Sequence, residues 1–328
     1  MIKKNWYAVL PSAQLGRTPV KTTVHDTDFV LLRGADGLPH AFSAYCPHRG
    51  CDLSRGTVEH NHLVCPFHGW RFDPTGRCTH IPANRANAPI PKSAQVTAYP
   101  ACDAIGLIWV YTQPEQTHQM TPTLELFPEF QTVLWRRVPF EMSWHASFCR
   151  VVESVLDISH LPFVHPETTG KDVSPVVDHL DYAVQHTGIV IHPKPFAPTH
   201  PMEPVPAPPG VAEQTEIELL FPNRWIIRTP MGNENWMCTF LTFTPTTQET
   251  THVFGVVMRN FQLDSEFLDD FHLEHTFFVL NEDKEIIECL RPMRAPDLKS
   301  ESHVASDGPT IRFRSMLFDA IRIENTGG

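Results

Sequence analysis

The sequence predicts an α+β protein with two domains, an all-β domain over residues 1–115 and a mixed domain over residues 116–328. Short apolar segments broken by turn residues run from Trp6 to about Tyr111, which is typical of antiparallel strands. Apolar residues recur at helical spacing after Phe148 and again from Phe267 to Leu290. A polar, Pro-containing stretch from Thr112 to Pro128 separates the two patterns and marks the predicted domain boundary.

The strand pattern is clearest near residue 30 and at the end of the first domain. Phe29–Arg33 and Pro39–Tyr45 flank the segment G-A-D-G, whose residues favour a tight turn, so the sequence predicts a β-hairpin here. A further strand is predicted at Leu107–Tyr111. In the second domain, the alternation over Trp236–Phe243 also predicts a strand.

Two Cys/His clusters lie in the first domain, C-P-H-R-G at residues 46–50 and C-P-F-H-G at residues 65–69. The four candidate ligands are Cys46, His48, Cys65 and His68. They form the ligand set of a Rieske iron-sulfur centre, in which two thiolates hold one iron of a [2Fe-2S] cluster and two imidazoles hold the other. The sequence therefore predicts electron transfer.

A structural zinc site is the alternative, because two Cys and two His also bind Zn²⁺. Zinc motifs usually begin with C-x2-C or C-x4-C, whereas each half here pairs one Cys with one His. Pro after each cysteine fixes φ and Gly after each histidine permits positive φ, which favours two tight loops that converge. The following nearby residues are interpreted as ordinary surface or core residues: Cys51, His60, His62, Cys78 and His80.

Composition excludes several functional classes. The net charge of −11 over 328 residues argues against nucleic acid as a partner. No apolar run reaches the length of a membrane span, and the first residues lack the apolar stretch of a signal peptide. The eight cysteines show no disulfide framework, so we expect a soluble, cytoplasmic enzyme. No G-x-G-x-x-G occurs, which argues against a Rossmann site for a nicotinamide or flavin.

A second candidate metal site lies between Phe148 and Pro166. If this segment is helical, one face carries Cys149, Glu153, Asp157 and His160. Pro162 is expected to end the helix near Leu161, so that His165 returns from a turn and can meet His160 at one metal. The alternative is a solvated face with two incidental histidines. The upstream one-electron carrier favours the metal site, because an electron donor needs an acceptor.

The third ligand should be a carboxylate, because two His and one carboxylate leave positions open for oxygen at a non-heme iron. Asp283 is the best candidate, since it lies inside the apolar stripe of the predicted helix Phe267–Leu290, with Glu282 at the edge of that stripe. A buried carboxylate is costly unless it is paired or bound to metal. A salt bridge between Asp283 and a Lys or Arg is the alternative.

These motifs together resemble the oxygenase component of Rieske non-heme iron oxygenases, over nearly the whole chain. The cluster motif C-x-H…C-x2-H precedes Asp157 and the H-x4-H of His160 and His165, in the order found in that family. The resemblance implies a Rieske domain followed by a catalytic domain of the helix-grip type, with helices on an antiparallel sheet. It also implies a homo-oligomer, usually a trimer, with Fe(II) held by His160, His165 and Asp283.

The resemblance implies a catalytic role for Asp157, as the bridge between a cluster histidine, His68, and the iron ligand His160 of a neighbouring subunit. Glu153 stands where the family often has Asn. An extra carboxylate there would relay protons or tune the bridge, so Glu153 is an expected catalytic residue.

The function implied is that of a terminal oxygenase. Electrons would come from a separate NAD(P)H-dependent reductase or a ferredoxin, and O₂ would be used to hydroxylate or demethylate a small organic substrate. Two alternatives remain: a ring-hydroxylating, cis-dihydroxylating dioxygenase, and a Rieske electron-transfer protein without oxygenase activity. The Pro-rich segment 193–209 is expected to be a loop over the pocket or a connector, and Arg150 to bind an anionic substrate or pair with an acid.

Overall fold

The computed structural model describes residues 2–85, 87–114, 120–132, 134–171, 173–177, 180–193 and 215–326. The chain separates into two compact units, Ile2–Glu125 and Leu126–Gly328, so the division falls later than the expected boundary after residue 115. The Pro-rich segment lies outside the described residues from residue 194 onward. None of the helices in the described ranges has the length and apolar character that a membrane span requires.

The first unit is built from short antiparallel strands in three sheets, with orders β1-β11-β10, β2-β3-β4-β9 and β5-β6-β7-β8. The strands are β1 Trp6–Pro11, β2 Val20–Val24, β3 Thr27–Arg33, β4 Pro39–Ser43, β5 Thr57–Glu59, β6 His62–Val64, β7 Arg71–Phe72, β8 Cys78–His80, β9 Ala98–Tyr99, β10 Ala101–Ala104 and β11 Leu107–Tyr111. The structure thus contains the predicted hairpin, as β3 and β4, and the predicted strand Leu107–Tyr111.

Strand β3 is buried on both faces, because its side chains alternate between two hydrophobic clusters. Phe29 and Leu31 pack with residues of β1 and β11. Val30 and Leu32 face the other cluster, which also contains the buried side chains of Cys46 and Cys65. The two candidate thiolate ligands are therefore held by the core of this unit.

The second unit contains a seven-stranded antiparallel sheet with the order β12-β18-β17-β16-β15-β14-β13. Its strands are β12 Arg136–Trp144, β13 Asp181–Gln185, β14 Gly188–His192, β15 Glu216–Leu220, β16 Arg224–Gly232, β17 Asn235–Pro245 and β18 Thr251–Arg259. Its helices are α1 Phe148–Ser154, α2 Leu161–Val164, α3 Glu266–Ile287 and α4 Gly308–Thr326. The predicted α+β class is confirmed, with an antiparallel sheet and helices in the second unit.

Helix α3 carries one metal-ligand candidate and packs on β12 and β18. The Ser265 hydroxyl caps its first turn by accepting from Leu268 N, and acidic residues in that turn complement the helix dipole. Its buried residues recur every three or four positions and so form one face of the helix, and Asp283 is the last of them. The Phe140 ring of β12 packs edge-on against Phe277 of this helix. Gly255 of β18 leaves space for that ring, since a Cβ at Gly255 would lie 2.1 Å from it.

The prediction of one continuous helix from Phe148 to about Leu161 is wrong. Helix α1 ends at Ser154, and a separate short helix, α2, begins at Leu161. Pro162 lies in the first turn of α2 instead of ending a helix, because a residue there needs no N–H partner and proline's fixed φ suits a helix start. The intervening turn, not a continuous helix, sets the positions of Asp157 and His160.

Candidate functional site

The two Cys/His clusters of the first unit form loops with the same backbone hydrogen bonds. In the first loop, residues 46–51, Cys46 N donates to Cys51 O (2.9 Å) and Gly50 N donates to Cys46 O (2.8 Å). In the second loop, residues 65–70, Cys65 N donates to Trp70 O (2.9 Å) and Gly69 N donates to Cys65 O (3.0 Å). Both glycines have φ +69°, the left-handed conformation that the sequence pattern predicted.

The four side chains at the tips of these loops converge. His48 Nδ1 lies 3.2 Å from His68 Nδ1, with both imidazole rings exposed. The Cys46 and Cys65 side chains are both buried in the same hydrophobic cluster. The loops thus present two thiols on the inner side and two imidazoles on the outer side.

By themselves, the surroundings of this site favour neutral thiols and neutral imidazoles. Burial raises the pKa of the Cys46 thiol to about 12, and the neighbouring Cys65 sulfur adds to the increase. Desolvation and the adjacent His68 lower the pKa of His48. Metal binding stabilises thiolates and neutral imidazoles, so a cluster would hold these four groups together in the forms that bind it.

Trp70 orients one of the imidazoles. Its ring stacks on His48 with 4.6 Å between centroids and an interplanar angle of 9°. The sequence reasoning did not assign a role to Trp70, because the contact joins two loops whose relative position no local pattern reveals.

In the second unit, three candidate ligands meet as predicted. His165 Nε2 lies 3.3 Å from His160 Nε2 and 3.0 Å from Asp283 Oδ1, and His160 Nε2 lies 3.3 Å from the same Oδ1. These three atoms form a nearly equilateral triangle, with spacings suited to one face of an octahedral metal site. Within the described residues this triad is the one group of three or more His, Cys, Asp or Glu side chains close enough to hold a metal ion.

Local structure places each member of the triad. His160 precedes α2 and His165 follows it, so one short helix brings the two imidazoles together. Asp283 reaches them from the buried face of α3 and is 8% exposed. Burial raises the pKa of the Asp283 carboxyl, but hydrogen bonds from His160 and His165 outweigh burial and the pKa lies below its usual range.

Glu282 holds the outer nitrogen of one ligand. His165 Nδ1 lies 2.8 Å from Glu282 Oε2, a contact that would keep the proton on Nδ1 and leave the Nε2 lone pair for a metal ion. Burial lowers the pKa of His165, but its contacts with Asp283 and Glu282 outweigh burial and raise it. Sequence reasoning placed Glu282 at the edge of the stripe without a role, because its partner lies 117 residues away in the chain.

Asp157 lies beside the triad. Its Oδ2 is 3.9 Å from His160 Nδ1, which is longer than a hydrogen bond. Its Oδ1 accepts from both the backbone N and the hydroxyl of Ser159, at 2.7 Å each, which fixes the turn before α2. The position agrees with the expected bridge, and the bridging role itself stays a prediction.

Glu153 is engaged elsewhere, in a buried ion-pair network between α1 and α4. Its two carboxylate oxygens accept from Arg314 Nε (2.5 Å) and Nη2 (2.7 Å). Arg314 and Arg150 both also bind Glu301, at 2.6 Å each. These contacts favour a structural role for Glu153 over the expected catalytic one, and they assign Arg150 to pairing with an acid.

Comparison with known proteins adds independent information. Residues 5–100 match the Rieske [2Fe-2S] domain family, and residues 144–322 match the vanillate O-demethylase oxygenase C-terminal domain. The chain is 26% identical to the putative toluene-4-sulfonate monooxygenase system iron-sulfur subunit TsaM2 of Comamonas testosteroni, over 100% of this chain and 99% of that protein. It is 29% identical to the methylxanthine N1-demethylase NdmA of Pseudomonas putida, over 83% and 74%.

Solved structures share this fold. An NdmA mutant with theobromine has a TM-score of 0.81 at 25% identity, covering 96% of this chain and 89% of that one. Dicamba monooxygenase bound to dicamba has a TM-score of 0.84 at 22% identity, covering 99% of both chains, and shows the fold alone. The match spans 33% of the length of Protein TIC 55 of Arabidopsis thaliana and 46% of that of the 4beta-methylsterol monooxygenase of Methylococcus capsulatus.

Proposed function

This chain belongs to the Rieske oxygenases whose catalytic domain is of the vanillate O-demethylase type, and from this premise we propose that it is a terminal oxygenase that monooxygenates a small organic substrate. The observation that carries the proposal is the triad of His160, His165 and Asp283. An electron carrier would need only the cluster loops, whereas the triad offers an open iron site in the same chain.

Each set of residues has a distinct task. Two cysteines and two histidines would hold the [2Fe-2S] cluster, with the thiols in the core and the imidazoles at the surface: Cys46, Cys65, His48 and His68. The triad would occupy one face of an octahedral Fe(II), and the coordination positions left open would be available for O₂ activation. Glu282 would keep His165 in the tautomer that binds metal.

Electron delivery requires partners. The chain would receive electrons from a separate NAD(P)H-dependent reductase or a ferredoxin, and it would assemble as a homo-oligomer, with a trimer expected. Asp157 would connect the cluster histidine His68 of one subunit to His160 of the next. Its position 3.9 Å from His160 Nδ1, with a second oxygen anchored by Ser159, supports this role.

Monooxygenation, by hydroxylation or demethylation, is favoured over dihydroxylation by the relatives that align along most of the chain. TsaM2 is named as part of a monooxygenase system and NdmA as a demethylase. A 3-chlorobenzoate-3,4-dioxygenase oxygenase subunit matches over a shorter part, 56% of this chain, so cis-dihydroxylation is the second candidate.

The variant His160→Ala tests the proposal against a plain electron carrier. Substrate-dependent O₂ consumption should be lost, while the electron paramagnetic resonance (EPR) signal of the reduced cluster stays unchanged. His186→Ala is the matched control, because His186 is exposed in the turn between β13 and β14. Substrate-dependent O₂ consumption at the wild-type rate in His160→Ala would contradict the proposed iron site.

A further inference from the structure

One face of the seven-stranded sheet, here called the inner face, is the one on which α3 packs. Side chains paired directly across neighbouring strands share this face, and most of them are buried, such as Leu241 and Val257 at 1% exposure. Four inner-face positions on the adjacent strands β16 and β17 are partly exposed: Ile227, Thr229, Met237 and Thr239. An open space therefore borders the inner face near the middle of the sheet.

Thr239 joins this space to helix α3. Its Oγ1 lies 3.4 Å from Nε2 of His272, a side chain that is 5% exposed. Among the described residues, His272 Nδ1 has no hydrogen-bond partner. Burial lowers the pKa of His272 to about 3, so its ring is neutral at physiological pH. The tautomer with the proton on Nε2 is favoured, because the other tautomer would bury an N–H group that has no acceptor.

This tautomer decides what Thr239 can do. When His272 Nε2 donates to Thr239 Oγ1, the hydroxyl proton of Thr239 is left for another acceptor, and the described residues offer none. His272 and Asp283 lie on the same buried face of α3, eleven residues or about 16 Å apart along the helix axis. An acceptor that meets Thr239 therefore belongs to the end of a bound molecule that is remote from the metal triad.

The inner face offers no free positive charge beside Thr239. Within the described strands its cations are Arg136 and Arg259, and both bind Asp269. Arg259 is 1% exposed and its remaining donors go to backbone carbonyls, whereas Arg136 lies on the edge strand β12, two strands away from β17. A carboxylate or sulfonate placed against Thr239 would lose its hydration without gaining an ionic partner, which is costly.

We propose that Thr239, held by His272, donates a hydrogen bond to the substrate, and that the substrate is a neutral, largely apolar molecule with a carbonyl oxygen at the end remote from the oxidised carbon. Thr239 is then a specificity-determining residue, and His272 is the residue that positions it. The inference rests on the proposed oxygenase function and names the substrate class of that site.

The test is the dissociation constant of matched probes for the anaerobic, metal-loaded protein, measured by calorimetry. The probes are 4-methoxyacetophenone, 4-ethylanisole, which lacks the carbonyl, and 4-methoxybenzoate, which is anionic, together with the corresponding naphthalenes. The ketone should bind about three- to tenfold more tightly than the ethyl compound, the difference expected for one hydrogen bond. The carboxylate should bind at least about tenfold more weakly than the ketone, because its charge is unpaired.

Variants assign this preference to the two residues. Thr239→Val keeps the shape of the side chain and should abolish the preference for the ketone over the ethyl compound. Thr242→Val is the matched control, because Thr242 is buried on the opposite face of the same strand and its hydroxyl has no hydrogen-bond partner in the described structure. His272→Phe should reduce the preference, and His272→Gln, which keeps a donor, should restore it.

The contrary outcomes are distinct. Equal or tighter binding of the carboxylate would overturn the neutral class, and so would the failure of every neutral probe to bind. A preference for the ketone that persists in Thr239→Val would overturn the role of Thr239. If the ketones bind as expected but no bound probe stimulates O₂ consumption with a reductase present, the proposed function fails instead.

Discussion

Replacing Glu282 should weaken iron binding without touching a metal ligand. The Glu282 carboxylate accepts from His165 Nδ1 at 2.8 Å, and the His165 side chain is 1% exposed, so water has little access to replace the lost contact. Loss of such an outer partner typically costs 10- to 100-fold in metal affinity, or about 1.4–2.7 kcal/mol. Glu282→Gln keeps an oxygen acceptor and should lose about tenfold, whereas Glu282→Ala should lose close to 100-fold.

The assay is the dissociation constant of Fe(II) at the mononuclear site, measured by competition with a ferrous chelator. The EPR signal of the cluster should be the same in all variants, because it reports the other metal centre. Glu285→Gln is the control, since Glu285 lies on the same helix and is exposed. Wild-type affinity in Glu282→Ala would refute the assignment of Glu282 as the partner that orients His165.

Three further predictions follow from the same contacts. Glu153→Gln should lower the free energy of unfolding by about 3 kcal/mol, which is the low end for breaking a buried ion pair because Glu301 still neutralises Arg314. The turnover per bound iron should not change in this variant. Loss of turnover with unchanged stability would restore the catalytic role of Glu153. Gly50→Ala should destabilise the cluster loop by about 1–2 kcal/mol, because φ is +69° at this position. A Cβ there would meet no other atom, so the backbone strain is the whole cost. Equal cluster content in the variant and the wild-type protein after heating would contradict this. Asp157→Asn should slow single-turnover electron transfer from cluster to iron at unchanged metal content, and an unchanged rate would exclude the bridge.

The parts of the fold with a strong local pattern could be predicted from the sequence. Leu107–Tyr111 has the predicted strand bounds, and the helix expected over Phe267–Leu290 is present as α3, Glu266–Ile287. Asp283 could be selected because a charge within an apolar stripe must have a partner. Pro162 misled the prediction, because proline fits a helix start as well as a helix end.

Contacts between distant parts of the chain left no local pattern to read. Glu153 has the polar-face spacing of a site residue, yet its partner Arg314 is 161 residues away. Glu282 and Trp70 acquire their roles only when separate segments meet.

The most direct test of the two-centre account is the iron and acid-labile sulfide content of anaerobically purified protein, combined with low-temperature EPR after dithionite reduction. The account predicts about three irons and two sulfides per chain with a rhombic Rieske signal. Zinc in place of iron, or a protein that still binds only the cluster irons after incubation with Fe(II), would contradict it.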